Sequence, residues 1–125
     1  MDKLKFIKNQ MNILAIRYEF MRYTKTIQCP YYTGEITSPE LFIAEDGSEE
    51  TTLILTGFHT GDYIDLERDK ETIKKHFDPV FGLRAKTDSG SIAVFYEGAF
   101  YVPTGETNLK RIQITLKIKE WKGVK

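Results

Sequence analysis

Few residues in this chain could do acid–base or nucleophilic chemistry: two histidines, His59 and His76, and one cysteine, Cys29. Such chemistry needs a base within hydrogen-bond reach of the atom it serves, held in place by a third group. His76 follows Lys74 and Lys75 at the end of a helical stretch, where the helix dipole favours a cation. His59 lies in a loop flanked by Gly57 and Gly61, near Asp62, and is the one candidate base. No serine or cysteine neighbours it, so it reads first as a polar loop residue. Cys29 precedes Pro30 and reads as a small buried hydrophobe. The acids Glu45, Asp46, Glu49 and Glu50 could gather a hard cation, but the calcium-loop spacing is absent. The glycines form neither phosphate-binding pattern. The expectation is a protein that is not an enzyme and carries no metal or cofactor.

A different chemistry is suggested by the strand Leu109–Trp121 (LKRIQITLKIKEW). Ile112, Ile114, Leu116 and Ile118 point one way; Arg111, Gln113, Thr115, Lys117 and Lys119 point the other. Alternation this strict marks a half-buried strand with one face in a core. Its basic face, with Trp121 and Tyr101 nearby, has the makings of a single-strand nucleic-acid platform. A neutral total charge and an acidic middle segment oppose that reading, which stands as an alternative.

The elements that position these groups follow from periodicity. Residues 2 to about 21 read as a helix. One stripe is Leu4, Ile7, Met11, Leu14, Tyr18 and Met21; a second, Phe6, Ile13, Ile16 and Phe20, lies roughly 140° around it. The first stripe should cover the chain's own sheet, and the second needs another cover, from its own chain or a neighbouring subunit. Thr26 to Ile36 is β-like, Ser38–Glu50 is an acidic loop with an apolar Leu41-Phe42-Ile43 inside it, and Thr51–Phe58 suits a buried strand. Asp62 is a plausible N-cap for a second helix with Asp65 in its first turn, an apolar side of Tyr63, Leu66, Ile73 and Phe77, and Pro79 as its stop. Leu83–Thr87 and Ser91–Tyr96 form hairpin arms around Asp88-Ser89-Gly90. Ala99–Val102 continues or bulges that sheet before the final strand. The order α-β-β-α-β-β-β predicts an α+β fold, an antiparallel or mixed sheet with both helices packed on one face.

At 125 residues and 41% hydrophobic content the chain fits one domain spanning 1–125, able to form a core without staples. One cysteine excludes an intrachain disulfide and suits a reducing compartment. The N-terminal stretch is charged from its second residue, and no run approaches the ~20 apolar residues of a membrane span, so a soluble, non-secreted protein is expected. Net charge is zero but segregated: +4 over residues 1–25, −9 from Thr26 to Glu67 with no Lys or Arg, and +5 over the remainder. This is either a solvated accident or the two halves of a head-to-tail contact.

From about Tyr31 to Lys122, the run of PYYTGEI, an acidic loop, TTLILTGF, GDYIDLERDKETIKKHF, SIAVFYEGAFYVPTG and LKRIQITLKIKEWK resembles the tail terminator (tail-completion) proteins of long-tailed phages and of Gram-positive prophages. The resemblance implies a small α+β subunit that self-assembles into a ring, usually a hexamer. That ring caps the tail tube and docks to the head-completion protein, assembling in the host cytoplasm and ending in the virion tail. A head–tail connector subunit is the near alternative. The last strand and second helix would build the core. The loop 38–50 (Leu41, Phe42, Glu45, Asp46, Glu49, Glu50) and the second stripe (Phe6, Ile13, Phe20) would face partners, and the basic Arg111, Lys117 and Lys119 would form a contact of their own.

Overall fold

The computed structural model describes residues 2–22, 26, 28–37, 47–87 and 90–122. The elements are α1 (Asp2–Ile13), β1 (Tyr18–Phe20), β2 (Tyr31–Ile36), β3 (Glu49–His59), α2 (Tyr63–His76), β4 (Leu83–Thr87), β5 (Gly90–Val102) and β6 (Lys110–Lys122). They build an α+β fold around one mixed, curled sheet of order β1-β2-β3-β6-β5-β4. Among the described residues only the β1–β2 pair is parallel. Both helices contribute to the core on the same face of the sheet. Among the described residues no helix is long and apolar enough to cross a membrane.

The alternating last strand lies at the centre of the sheet. Ile112, Ile114, Leu116 and Ile118 are fully buried and face Gly57, Leu55, Leu53 and Thr51 of β3 on one side and Tyr101, Ala99, Tyr96 and Val94 of β5 on the other. Ile7 and Met11 of α1, and Leu66 and Ile73 of α2 with Phe77 just after it, close over this layer. β5 keeps its register through a bulge between Tyr96 and Gly98. The extra residue, Glu97, resets the alternation, so Phe100 falls on the opposite face from Ala99 and Tyr101.

Two tyrosines lie across two glycines on adjacent strands. A Cβ on Gly57 would stand 2.3 Å from the Tyr32 ring and 2.9 Å from Ile112, and one on Gly34 would stand 2.5 Å from the Tyr18 hydroxyl. Gly57 is therefore a position inside β3 where a ring crosses the backbone, not the start of a loop. Tyr32 continues over the sheet and donates to Asp69 of α2 at 3.0 Å, tying the edge of the sheet to the helix.

The first helix is shorter than its apolar spacing predicts. It ends at Ile13, and the Tyr18–Phe20 segment, expected to be helical, is a strand. Ala15 adopts a left-handed φ of 58°, Ile16 N–H donates to Met11 O, and Ala15 N–H to Asn12 O. This is a Schellman stop, with Ile16 packed beside Met11 in the core. The second stripe is thereby dismantled. Phe6 and Phe20 pack against the core, Ile16 is buried in it, and Ile13 alone stands out, 69% exposed.

The second helix follows its sequence signals. Asp62 caps it by accepting from Ile64 N–H at 2.9 Å, and Phe77 closes it on Ile73 O. Tyr63, expected on its apolar side, is half exposed instead. The hairpin β4–β5 forms as expected, while Asp88 and Ser89 at its tip lie outside the described residues.

Replacing Gly57 with Ala should cost about 1–3 kcal/mol of stability, because the Tyr32 ring must shift off the strand. Denaturant unfolding measures it. A variant as stable as the parent would show that the ring is not held there.

Candidate functional site

The face of the sheet away from the helices is the first candidate surface. Its central rows are Glu50–Lys119–Ala93 and Thr52–Lys117–Phe95, with Tyr31–Phe58–Arg111–Val102 at the other end. Lys117 Nζ stands 3.2 Å from Glu97 and 3.5 Å from Glu50, and Lys119 Nζ is 3.7 Å from Glu50. The hydrogen bond to Glu97 holds the Lys117 ammonium above its ordinary pKa, with Glu50 adding to it. Three of the expected interface residues, Glu50, Lys117 and Lys119, are thus brought together and neutralise one another inside a single chain. The acidic middle and the basic last strand are separated in sequence but adjacent in space.

The other predicted contacts disperse. Glu49 is a β3 residue, not a loop residue, and sits opposite Glu120, whose carboxylate has Lys3 of α1 at 3.5 Å. Arg111 lies beside the stacked pair Tyr31–Phe58, and its Nε is buried without a hydrogen-bond partner. Leu41, Phe42, Glu45 and Asp46 lie outside the described residues. Tyr101 and Trp121, expected to be neighbours on a basic platform, are on opposite faces and at opposite ends of β6. Tyr101 instead donates to Glu67 of α2 at 2.7 Å.

The second candidate is the cleft around His59. His59 is the last residue of β3, buried, and its Nε2–H donates to Asp65 Oδ2 at 2.8 Å. Its partner is Asp65 in the first turn of α2 and not Asp62, which is committed to the cap. Cys29, Pro30, Arg17, Arg68 and Asp69 share this cleft of about 300 Å³. A carboxylate-oriented imidazole is half of a nucleophilic site. The other half is not assembled: His59 Nδ1 has no hydrogen-bond partner, so no hydroxyl or thiol is poised to give it a proton. The pair pins the end of β3 to α2. Among the described residues no three His, Cys, Asp or Glu side chains converge where a metal could sit.

His76 does not act as a helix-end cation. Its Nε2 donates to Gln10 Oε1 of α1 at 2.6 Å, and burial pushes its pKa below the ordinary histidine value. It joins the two helices as a neutral ring, set edge-on against Phe77.

The third candidate escaped the sequence reading. Val80 and Phe81, each 72% exposed, occupy a turn that leads into the edge strand β4. Asp78 Oδ1 accepts from Val80 N–H at 2.7 Å and from Phe81 N–H at 2.9 Å, bonds that hold its carboxyl below the usual carboxylate range. Gly82 N–H returns to Asp78 O, Arg84 Nε donates to Phe81 O, and the Phe95 ring lies against Gly82. The turn is thoroughly bonded, yet it presents two apolar side chains to solvent. At the other edge of the sheet Ile13 and Met21, 69% and 63% exposed, precede and follow β1 in the chain. An apolar pair straight after Pro79, where a turn would ordinarily be polar, was the available signal.

No protein-family model and no curated protein matches the chain.

Two outcomes follow from these interactions. Since His76 has a lowered folded pKa, the unfolded chain binds the extra proton first, and stability falls as pH drops from 7 through about 6.5. Thermal unfolding at pH 7 and pH 5 should show a smaller loss in His76→Gln than in the parent. Replacing Lys117 with Ala leaves Glu50 and Glu97 facing each other and should cost about 0.5–1 kcal/mol at low salt. Much of that cost should disappear when the unfolding is repeated at 1 M salt.

Proposed function

We propose that this chain is a non-enzymatic assembly subunit of a long-tailed phage or prophage. In this reading it is a tail terminator-like protein that closes into a homo-oligomeric ring, caps the tail tube and docks to the head-completion complex. The observation that carries the proposal is the pair of ordered, exposed apolar sites at opposite edges of one sheet: Ile13 and Met21 beside β1, and Val80 and Phe81 beside β4. A ring is made of heterologous contacts, in which one patch meets a different patch on the next copy. Two unlike patches on opposite edges suit that repetition, whereas a single patch would suit a two-fold dimer. The likeness of the stretch Tyr31–Lys122 to tail terminators, the absence of an assembled nucleophilic site among the described residues, and the internally neutralised basic strand support the same reading.

Native mass spectrometry and negative-stain electron microscopy at high protein concentration test it. A ring is expected, and Ile13→Glu and Phe81→Glu should each shift it to monomer. Both substitutions are at exposed positions, so unfolding free energies should stay within about 0.5 kcal/mol of the parent. A strict monomer, alone and mixed with tail-tube protein, would overturn the proposal.

A further inference from the structure

The strand β4 forms one edge of the sheet. Its ladder to β5 runs from Leu83, opposite Val94, to Thr87, opposite Gly90, and among the described residues no strand pairs with its other side. In an antiparallel edge strand every second residue directs its N–H and C=O outward, so β4 offers main-chain groups to a further strand. The opposite edge offers less, since β1 is three residues long.

The side chains of β4 define what that strand must be. Arg84 and Lys86 stand exposed on the helix-free face, two residues and so about 7 Å apart. Neither has a carboxylate partner among the described residues, unlike Lys117 on the same face. Arg84 is held in place, with its guanidinium over the Phe95 ring at 5.7 Å and its Nε donating to Phe81 O. A groove of about 400 Å³ lies beside both cations, lined also by Ser91 and Trp121. On the helix side of the strand, Leu83 and Ala85 pack against the core but are only partly buried. One occupant is opposed by charge. Two β4 edges laid together would set Arg84 and Lys86 against the same residues of the other copy.

We infer that the β4 edge binds an extended acidic segment of a partner protein, which adds one more strand to the sheet. Acidic residues at every second position of that segment face Arg84 and Lys86, and the apolar residue between them lies beside Ala85. Main-chain bonds supply the affinity of such a contact, and the alternate side chains its specificity. Charge at the edge fixes the register and rejects basic segments. The inference goes beyond the assembly reading and does not depend on it. Val80 and Phe81 lie in the turn before β4, outside the stretch that the segment pairs with.

Fluorescence anisotropy with labelled synthetic peptides tests it. The peptide TVEVEVT should bind the parent, and more weakly as salt is raised. Binding should fall at least about tenfold for TPEPEPT, which keeps the charges but cannot make the strand, and for TVEVEVT with Arg84→Glu plus Lys86→Glu. That double variant should bind TVKVKVT, which the parent refuses, and this exchange also shows that the variant is folded. Trp121 is the one tryptophan of the chain, so its emission should change when TVEVEVT occupies the groove. Equal binding of TVEVEVT and TPEPEPT, equal binding of TVEVEVT by parent and variant, or no binding at about 1 mM protein overturns the inference. If TVEVEVT fails to bind and the double variant dissociates the parent's ring, the edge is a contact between copies, and only the assembly reading survives. A monomeric parent that binds TVEVEVT leaves this inference standing and overturns the ring alone. Tighter binding of a thymidine oligonucleotide than of TVEVEVT would assign the edge to nucleic acid and overturn the acidic segment.

Discussion

The structure depends on the register of β6 between β3 and β5. Its apolar residues occupy every second position for seven residues, and a slip of one place would turn Ile112, Ile114, Leu116 and Ile118 out of the core and bring Gln113, Thr115 and Lys117 in. Both neighbours are locked to that phase. β3 supplies Leu53 and Leu55 opposite Leu116 and Ile114, and β5 pairs with β6 along its whole length with Glu97 inserted as a bulge. The bulge has a consequence on the far face, where it places the Glu97 carboxylate within reach of Lys117. One packing constraint therefore sets both the core and the charge pattern outside it.

The parts legible in the sequence are those whose signals are local. β6 declares itself by its period of two, α2 by the Asp62 cap and Pro79, and the β4–β5 hairpin by its turn residues. The end of α1 was hidden because its stop contains no glycine or proline. Ala15 takes the left-handed conformation that glycine usually takes, at a cost of about 1–2 kcal/mol offset by burying Ile16 against Met11. The stretch itself was ambiguous, since Leu14, Ile16, Tyr18 and Phe20 satisfy a strand period while also extending the helical rows. Tertiary pairing of Tyr18 with Tyr32 decided it.

The candidate site was less legible, for a different reason. Charge segregation along a chain says little about charge segregation in space when the segments pair as antiparallel strands. Glu50 belongs to the acidic run and Lys117 and Lys119 to the basic strand, yet the β3–β6 ladder puts them side by side. What sequence distance suggested about the whole chain fails at the centre of the sheet. His59 shows the same limit. Its sequence neighbour Asp62 is consumed as a helix cap, and the turn this creates delivers Asp65 to the imidazole instead.

The Val80–Phe81 turn bears most directly on function because its order and its exposure pull in opposite directions. A turn held by the Asp78 carboxylate, the Gly82 amide and the Phe95 ring has little freedom to fold its apolar side chains inward. Leaving them in water forgoes the roughly 1.5–3 kcal/mol that each would contribute if buried. Polar residues would fit the same backbone without that loss, since the bonds that make the turn come from the main chain and Asp78. Scattered surface hydrophobics are common and need no cause. A rigid apolar pair beside one edge of the sheet, with a second exposed apolar pair beside the other, is a different case. In the proposed assembly, the free energy withheld from folding at both edges is what each neighbour recovers.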